Sequence, residues 1–332
     1  MNYSSSIKTL QVNLNRSAPA TESALNLAIE LGVGIIAVQE PWVYPSPSND
    51  YTVTWLVVHQ SFTQILLNHG ALRPRTLYYI AKDLGPTINI APNSPQDPDC
   101  LIIDINNQGT KVQIINIYNE DDLNGYGINT LNRGVLPHPL SCNTIVLGDL
   151  NYHHPWWDPL HNKSTGADDL VEWITENNLL LLNTPGEGTF YRPHMETPTV
   201  IDLTLTTSSL VDKVQDWQTV PDLGSDHFGI LFNIVLSTSA ASTNSTIFHR
   251  FDTKRAEWGL FRDTLTTKIT TLLNLAQIPN LATLRNLATL HSPKADISDQ
   301  TKETIAEVLT TAIINASNTS ILRTSVSVKS KP

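Results

Sequence analysis

The segment Val146–Asn151, VLGDLN, constrains this chain more than any other. Ile145, Val146 and Leu147 form an apolar run of strand length, and Gly148 interrupts it just before Asp149 and Asn151. Side chains at i and i+2 of a strand point the same way, so Asp149 and Asn151 are expected on one face at the strand's C-terminal end. A carboxylate beside an amide suits work on a phosphate: the acid handles a water or a metal, and the amide holds an oxygen. The same placement recurs along the chain. Asn13 and Asn15 follow an alternating strand over Lys8–Asn13, and Glu40 ends the run Val33–Gln39. Tyr118 and Asn119 end Val112–Tyr118. Asp202 lies inside Val200–Thr204, and Asp226 and His227 precede Phe228–Val235. A lone Asp or Asn at a strand end is usually a turn former. Six such places holding a Glu, three Asp and a His are hard to explain as turns. Asp202 is the most telling, because a buried acid inside an apolar strand is costly without a partner.

Further apolar runs predict strands over Thr52–Val58, Gln64–Leu67, Leu77–Ile80, Leu101–Ile105, Thr144–Leu147 and Leu180–Asn183. Helical spacing of Ala24, Leu25, Leu27, Ala28 and Leu31 predicts a helix over Pro19–Leu31, closed by Gly32 and Gly34. Leu170, Trp173 and Ile174 predict another over Asp168–Asn177. Many strands with few helices imply two packed sheets flanked by helices. After about Leu236 the composition changes. Residues 237–250 read as a polar linker. Residues 251–332 read as a helical tail, with helices over Arg255–Leu275 and Asp299–Ala316, no clear strands and a disordered end from Thr324.

The 332 residues suffice for one large domain plus an appendage. Two cysteines, Cys100 and Cys142, with no zinc-type spacing, argue against a disulfide scaffold and fit an intracellular setting. No run of 18 apolar residues predicts a membrane span, and the first ten residues lack a signal-peptide core. Residues 1–236 hold ten Lys and Arg against 24 Asp and Glu, while the remainder holds eleven against seven. An acidic first part argues against broad adhesion to nucleic acid, which needs phosphate neutralisation. It suits a site that concentrates divalent cations, and a local stripe of arginine can still serve a DNA substrate.

The order N-x-N at Asn13 and Asn15, QE at Gln39–Glu40, N-x-Y at Asn116–Tyr118, GDxN at Gly148–Asn151, IDLT at Ile201–Thr204 and SDH at Ser225–His227 resembles the endonuclease/exonuclease/phosphatase superfamily. That group includes DNase I-like nucleases, abasic-site repair endonucleases, inositol phosphatases and sphingomyelinases. QEPW, GDLNxHHPxW, the Gly188–Thr189 pair, IDLT and GSDH are most similar in wording to the endonuclease domain of LINE-type (non-LTR) retrotransposons. The resemblance covers residues 7 to 236. The segment His249–Leu265 resembles the stretch between endonuclease and reverse transcriptase in such elements, so the chain is expected to be a fragment ending before the polymerase, or a truncated copy.

The resemblance implies a four-layer αββα sandwich, DNase I-like, with the site at the sheet rims and a C-terminal helical tail. It implies Mg²⁺, with Mn²⁺ as an alternative, held by Glu40 and Asn15 beside Asp226. Tyr118 would donate to the phosphate, Asp149 orient or deprotonate the attacking water, and Asn151 hold a phosphate oxygen. His227 would be oriented by Asp202. Asn13, Arg16, Thr189 and Arg192 are candidate substrate-binding residues, Asn13 matching an Asn that supports the cleft and Thr189 a Thr or Ser near the DNA-binding loops, with Arg73 and Arg75 as further phosphate-tracking candidates. The implied activity is nicking of one DNA strand, as in target-primed retrotransposition, in the nucleus and alongside a reverse transcriptase domain. Two alternatives stay open: a phosphoesterase of the same fold acting on a lipid or inositol phosphodiester, and a catalytically dead element remnant. The bland readings are a rigid loop for His153 and His154, packing for Trp156 and Trp157, a solvated loop for Asp121 and Asp122, and helix-start acids for Asp168 and Asp169. Candidate DNA-facing loops are Tyr44–Asp50, Glu120–Gly134 and Thr184–Thr197.

Overall fold

The computed structural model describes residues 6–44, 56–67, 72–120, 129–221, 223–236, 249–251, 257–275, 309–313, 315–317, 319–320 and 323–325. The chain divides into two compact units, Met1–Ala241 and Ser242–Pro332. In the first, two six-stranded sheets are seen among the described residues. One sheet joins β1 (Ser6–Asn13), β2 (Ile35–Gln39), β3 (Phe62–Ile65), β4 (Thr76–Ala81), β11 (Val214–Val220) and β12 (Gly229–Val235), in the order β11-β12-β1-β2-β4-β3. The other joins β5 (Thr87–Ile90), β6 (Cys100–Asn107), β7 (Thr110–Tyr118), β8 (Thr144–Asp149), β9 (Leu179–Leu181) and β10 (Asp202–Thr207), in the order β5-β6-β7-β8-β10-β9.

The period-two alternation of each strand explains the layering. Ile35 and Ala37 face inward with Ile7, Tyr78, Ile230 and Phe232, against Leu101, Ile103, Ile114, Ile145 and Leu147 of the second sheet. Ile36 and Val38 face outward onto Ala20, Ala24, Leu25 and Ala28 of helix α1 (Ala18–Glu30). On the far side, Ile102, Ile115, Val146, Leu203 and Leu205 meet Leu170 and Ile174 of helix α2 (Ala167–Glu176). The result is the four-layer αββα arrangement, each fully buried aliphatic side chain contributing about 1.5–3 kcal/mol. Helix α1 starts where the Ser17 side chain accepts the Ala20 N–H at 3.2 Å, and left-handed Gly32 follows its end.

Several boundaries differ from expectation. β10 begins at Asp202 rather than carrying it mid-strand, and β9 precedes the expected Leu180–Asn183 by one to two residues. β3 ends at Ile65, short of Leu67. Strands β5 and β11 have no counterpart in the sequence reading; both are edge strands with few buried side chains. Of the expected strand Thr52–Val58, only 56–58 are described, and Leu56 bridges Val43.

In the second unit, α3 (Trp258–Leu275) answers the first expected tail helix. The described part of the second, 309–313 and 315–317, is helical, and residues 299–308 lie outside the described set. Two short antiparallel strands, β13 (His249–Phe251) and β14 (Arg323–Ser325), correct the expectation of a strandless tail, and Thr324 and Ser325 are paired rather than disordered. No helix among the described residues is long and apolar enough to cross a membrane.

Candidate active site

Strand direction and register bring the polar strand-end residues to one rim. β7 and β8 run parallel with Tyr118 beside Asp149, and β10 runs antiparallel to β8 with Asp202 beside Asp149. In the other sheet, β1 and β2 run parallel with Asn13 beside Gln39, so Glu40 follows at the same end. β12 runs antiparallel to β1, so His227, just before it, arrives there too.

Asn13 joins the sheets. Its Nδ2 donates to Asp149 Oδ2 at 2.9 Å, and its Oδ1 accepts the backbone N–H of Asn15 at 2.8 Å. The Asn15 amide donates in turn to Asp226 Oδ1 at 3.0 Å. On the other side, Asp149 Oδ1 accepts the N–H of Asn151 at 3.1 Å, and Asn151 Nδ2 donates to the Asn119 carbonyl at 2.8 Å. A continuous chain of hydrogen bonds therefore runs from Asp226 through Asn15, Asn13 and Asp149 to Asn151.

His227 is anchored by its Nδ1, 2.9 Å from Asp202 Oδ2, and its Nε2 lies 3.8 Å from Asp149 Oδ2. The Phe190 ring packs edge-on against it, 4.8 Å between centroids. Burial alone would lower the imidazole pKa, but the Asp202 and Asp149 carboxylates raise it, to about 9. Asp149 is pushed the other way from an ordinary acid: burial and neighbouring Asp202 hold its pKa well above the usual range, against the lowering pull of His227. One oxygen of Asp202 is buried without a hydrogen-bond partner. Tyr118 is held as a neutral phenol by burial and by the charges of Glu40 and Asp149. The Arg75 guanidinium lies 5.6 Å from its ring centroid and is itself tied to Asp99 and Glu120.

At the outer edge, Glu40 pairs with Arg16 at 2.5 Å, and Asp226 pairs with Arg192 at 2.9 Å. Asn15, Arg16, Glu40 and Asn151 all adopt left-handed backbone conformations, φ 45°, 54°, 44° and 52°. Such conformations are uncommon for side-chain-bearing residues and cluster where a site demands them. Gly148 is obligatory: at φ 148° a β-carbon would fall 1.8 Å from the Ile117 carbonyl oxygen.

One expectation needs correction, and two of the expected substrate-binding residues are buried. Asp149 and Asn151 do not share a strand face, because β8 ends at Asp149 and the chain turns at Asn151; the hydrogen bond to Asp149 Oδ1 brings them together instead. Thr189 is fully buried, its hydroxyl accepting the N–H groups of Ile201 (3.1 Å) and Asp202 (3.0 Å), so it braces the start of β10 at Asp202. Asn13 is likewise fully buried and braces Asp149. A support missed from sequence is Ser225, whose hydroxyl donates to the Asn13 carbonyl at 2.8 Å and accepts the His227 N–H at 3.2 Å; Asn119, expected only as a strand-end residue, donates to the Leu150 carbonyl at 2.8 Å. Both adjoin expected residues in the motifs, but nothing in a linear pattern marks a brace.

Residues 112–231 match the model of a family described as endonuclease-reverse transcriptase. That span contains Tyr118, Asp149, Asn151, Asp202, Asp226 and His227. The fold is similar to the endonuclease domain of TRAS1, a telomere-specific non-LTR retrotransposon, with TM-score 0.55 and 19% identity over 70% of this chain and 100% of that one. The domain has the DNase I-like fold. The AP endonuclease LMAP from Leishmania major shares the fold of this domain at TM-score 0.54 and 13% identity, over 69% of this chain and 88% of that one. No curated protein matches the sequence.

Proposed function

We propose that this domain belongs to the endonuclease/exonuclease/phosphatase superfamily and is a Mg²⁺-dependent DNA endonuclease that hydrolyses a phosphodiester bond and nicks one strand, as part of a retrotransposon protein that also carries a reverse transcriptase and acts in the nucleus. The observation that carries this reading is the Asp226–Asn15–Asn13–Asp149–Asn151 hydrogen-bond chain beside the His227–Asp202 pair. It brings a carboxylate, an imidazole and amide donors to one rim, the groups that this reading requires.

Asn15, Glu40 and Asp226 offer only oxygen ligands, at an edge open to solvent, which suits a hard, partly hydrated cation. Bound there, Mg²⁺ would act as Lewis acid toward the phosphate and the leaving 3′ oxygen. Asp149, in its ionised form more basic than a surface carboxylate, takes the proton of the attacking water. His227, charged at neutral pH and fixed at Nδ1, presents Nε2–H to a phosphate oxygen. Asn151 spends one amide hydrogen on Asn119 and keeps the other for the phosphate. Tyr118 adds a phenolic donor. Each such preorganised donor is worth about 10²–10³ in rate.

The test is conversion of supercoiled plasmid to the nicked circle with Mg²⁺ and with EDTA. Nicking that requires Mg²⁺ and fails in Glu40→Ala and His227→Ala is the expected outcome. A folded wild-type protein without activity would indicate a dead remnant, and hydrolysis of inositol or sphingolipid phosphodiesters in place of DNA would reassign the substrate.

A further inference from the structure

The loop that follows Asn151 carries a second cluster of metal-ligating side chains, which the proposed hydrolysis does not use. Asp158 is buried, and each carboxylate oxygen meets an imidazole. Oδ2 lies 2.5 Å from His153 Nδ1, and Oδ1 lies 2.7 Å from His161 Nδ1. One ligand atom from each of the three residues lies within 4.8 Å of the other two. The loop that bears them is already closed. The His153 N–H donates to Ser164 Oγ and the Ser164 N–H to the His153 carbonyl, both at 2.9 Å. The Asp158 N–H donates to the His154 carbonyl at 2.8 Å, and buried Trp157 donates its indole N–H to the Tyr152 carbonyl at 2.8 Å. The three side chains are thus ordered ahead of any ligand.

We propose that His153, Asp158 and His161 form a binding site for a Zn²⁺-class cation, separate from the oxygen-donor edge at Glu40. Two imidazole nitrogens and one carboxylate oxygen are a donor set for borderline transition ions rather than for Mg²⁺. Three protein ligands leave the fourth tetrahedral position to water. With metal–ligand distances of about 2.0–2.1 Å, tetrahedral ligands stand about 3.3 Å apart, and the 4.8 Å limit within which the three ligand atoms already lie leaves a short adjustment of the side chains to close on an ion. The far nitrogen of His161, Nε2, is 3.4 Å from Thr197 Oγ1, the kind of outer partner that fixes a ligating ring. The ion pins the turn that exposes Trp156 a few residues beyond Asn151, so its role is to position that turn.

The test uses the full chain, stripped of metal, held in excess Mg²⁺ and titrated with Co²⁺ as a spectroscopic probe. One Co²⁺ per chain should give the intense visible absorption of a low-coordinate site, and Zn²⁺ should bleach it. His161→Ala and His153→Ala should each weaken binding by more than about 100-fold, the upper range for loss of a mere outer partner. His227→Ala should leave the band intact. Absence of the band, or its persistence in either loop variant, overturns the proposal, and so does its loss in His227→Ala alone, which would put the ion in the Asp149–Asp202–His227 group. Thermal melting in EDTA identifies which loop variant is folded, and Asp158→Asn serves as a third.

Discussion

The two halves of the candidate active site are built on opposite principles. The inner half, Asp149, Asp202 and His227, is sealed: the side chains are 2%, 2% and 7% exposed, and they meet one another directly. The outer half, Glu40 and Asp226, is 12% and 15% exposed, and each acid is covered by an arginine that is itself about half exposed, Arg16 at 46% and Arg192 at 52%. Burial shifts Asp149 upward, whereas His227 is raised by the Asp202 and Asp149 carboxylates against the lowering pull of burial. At the edge, water screens the pairs, and an arginine can let go of a carboxylate for a phosphate. The inner half is held fixed by its own contacts, and the outer half is held by pairs that water reaches, which suits the proton transfer proposed for the one and the cation and substrate binding proposed for the other.

The sharpest way to break this contrast is Asp149→Asn, which keeps the shape but removes the base. Single-turnover nicking should slow by about 10²–10⁴. If the rate is unchanged, the inner half is not where the proton moves. Glu40→Gln should act differently, raising the Mg²⁺ concentration needed for half-maximal activity by roughly tenfold or more, with partial recovery at high Mg²⁺. A metal titration of the rate separates the two behaviours.

A third distinction lies in pH. His227 titrates higher in the folded protein than its ordinary value, so the stability it contributes is full below about 6.5 and is lost as pH rises through about 9. Asp149, also raised, works in the same sense, since the folded state holds its proton more tightly than the unfolded chain. Urea unfolding of the metal-free protein should therefore show stability falling across that window. Asp202→Asn should move the imidazole pKa down in an NMR titration. The smallest effects are expected at the edge. Arg16→Ala and Arg192→Ala should each change stability by under about 1 kcal/mol. Each should also lower the salt slope of DNA binding by about one, if the guanidinium leaves its acid for a phosphate.

What the sequence disclosed follows from the same physics. β1, β2, β7, β8 and β12 are buried runs, and apolar residues buried on both faces leave a plain linear mark. β11 has no such mark: it is an edge strand, mostly exposed, with its register broken between Gln215 and Gln218. Strand ends pointed to Asp149, Glu40 and His227, and the family resemblance supplied their roles. The partners of the bracing did not show. Asn13 reaches Asp149 across 136 positions of chain, and Thr189 acts through backbone N–H groups 12 and 13 residues away. Nor did strand alternation foretell how Asn151 returns to Asp149, because left-handed backbone at Asn151 ends the period-two rule.

The claim that matters most is that the sealed and open halves act on one phosphodiester bond as one centre. A double-mutant cycle of Asp149→Asn and Glu40→Gln on kcat/KM for plasmid nicking tests it directly. Coupled residues should give a double variant scarcely slower than the slower single one. Losses that simply multiply would mean that the halves work independently and that the hydrogen-bond chain through Asn13 joins them in structure alone.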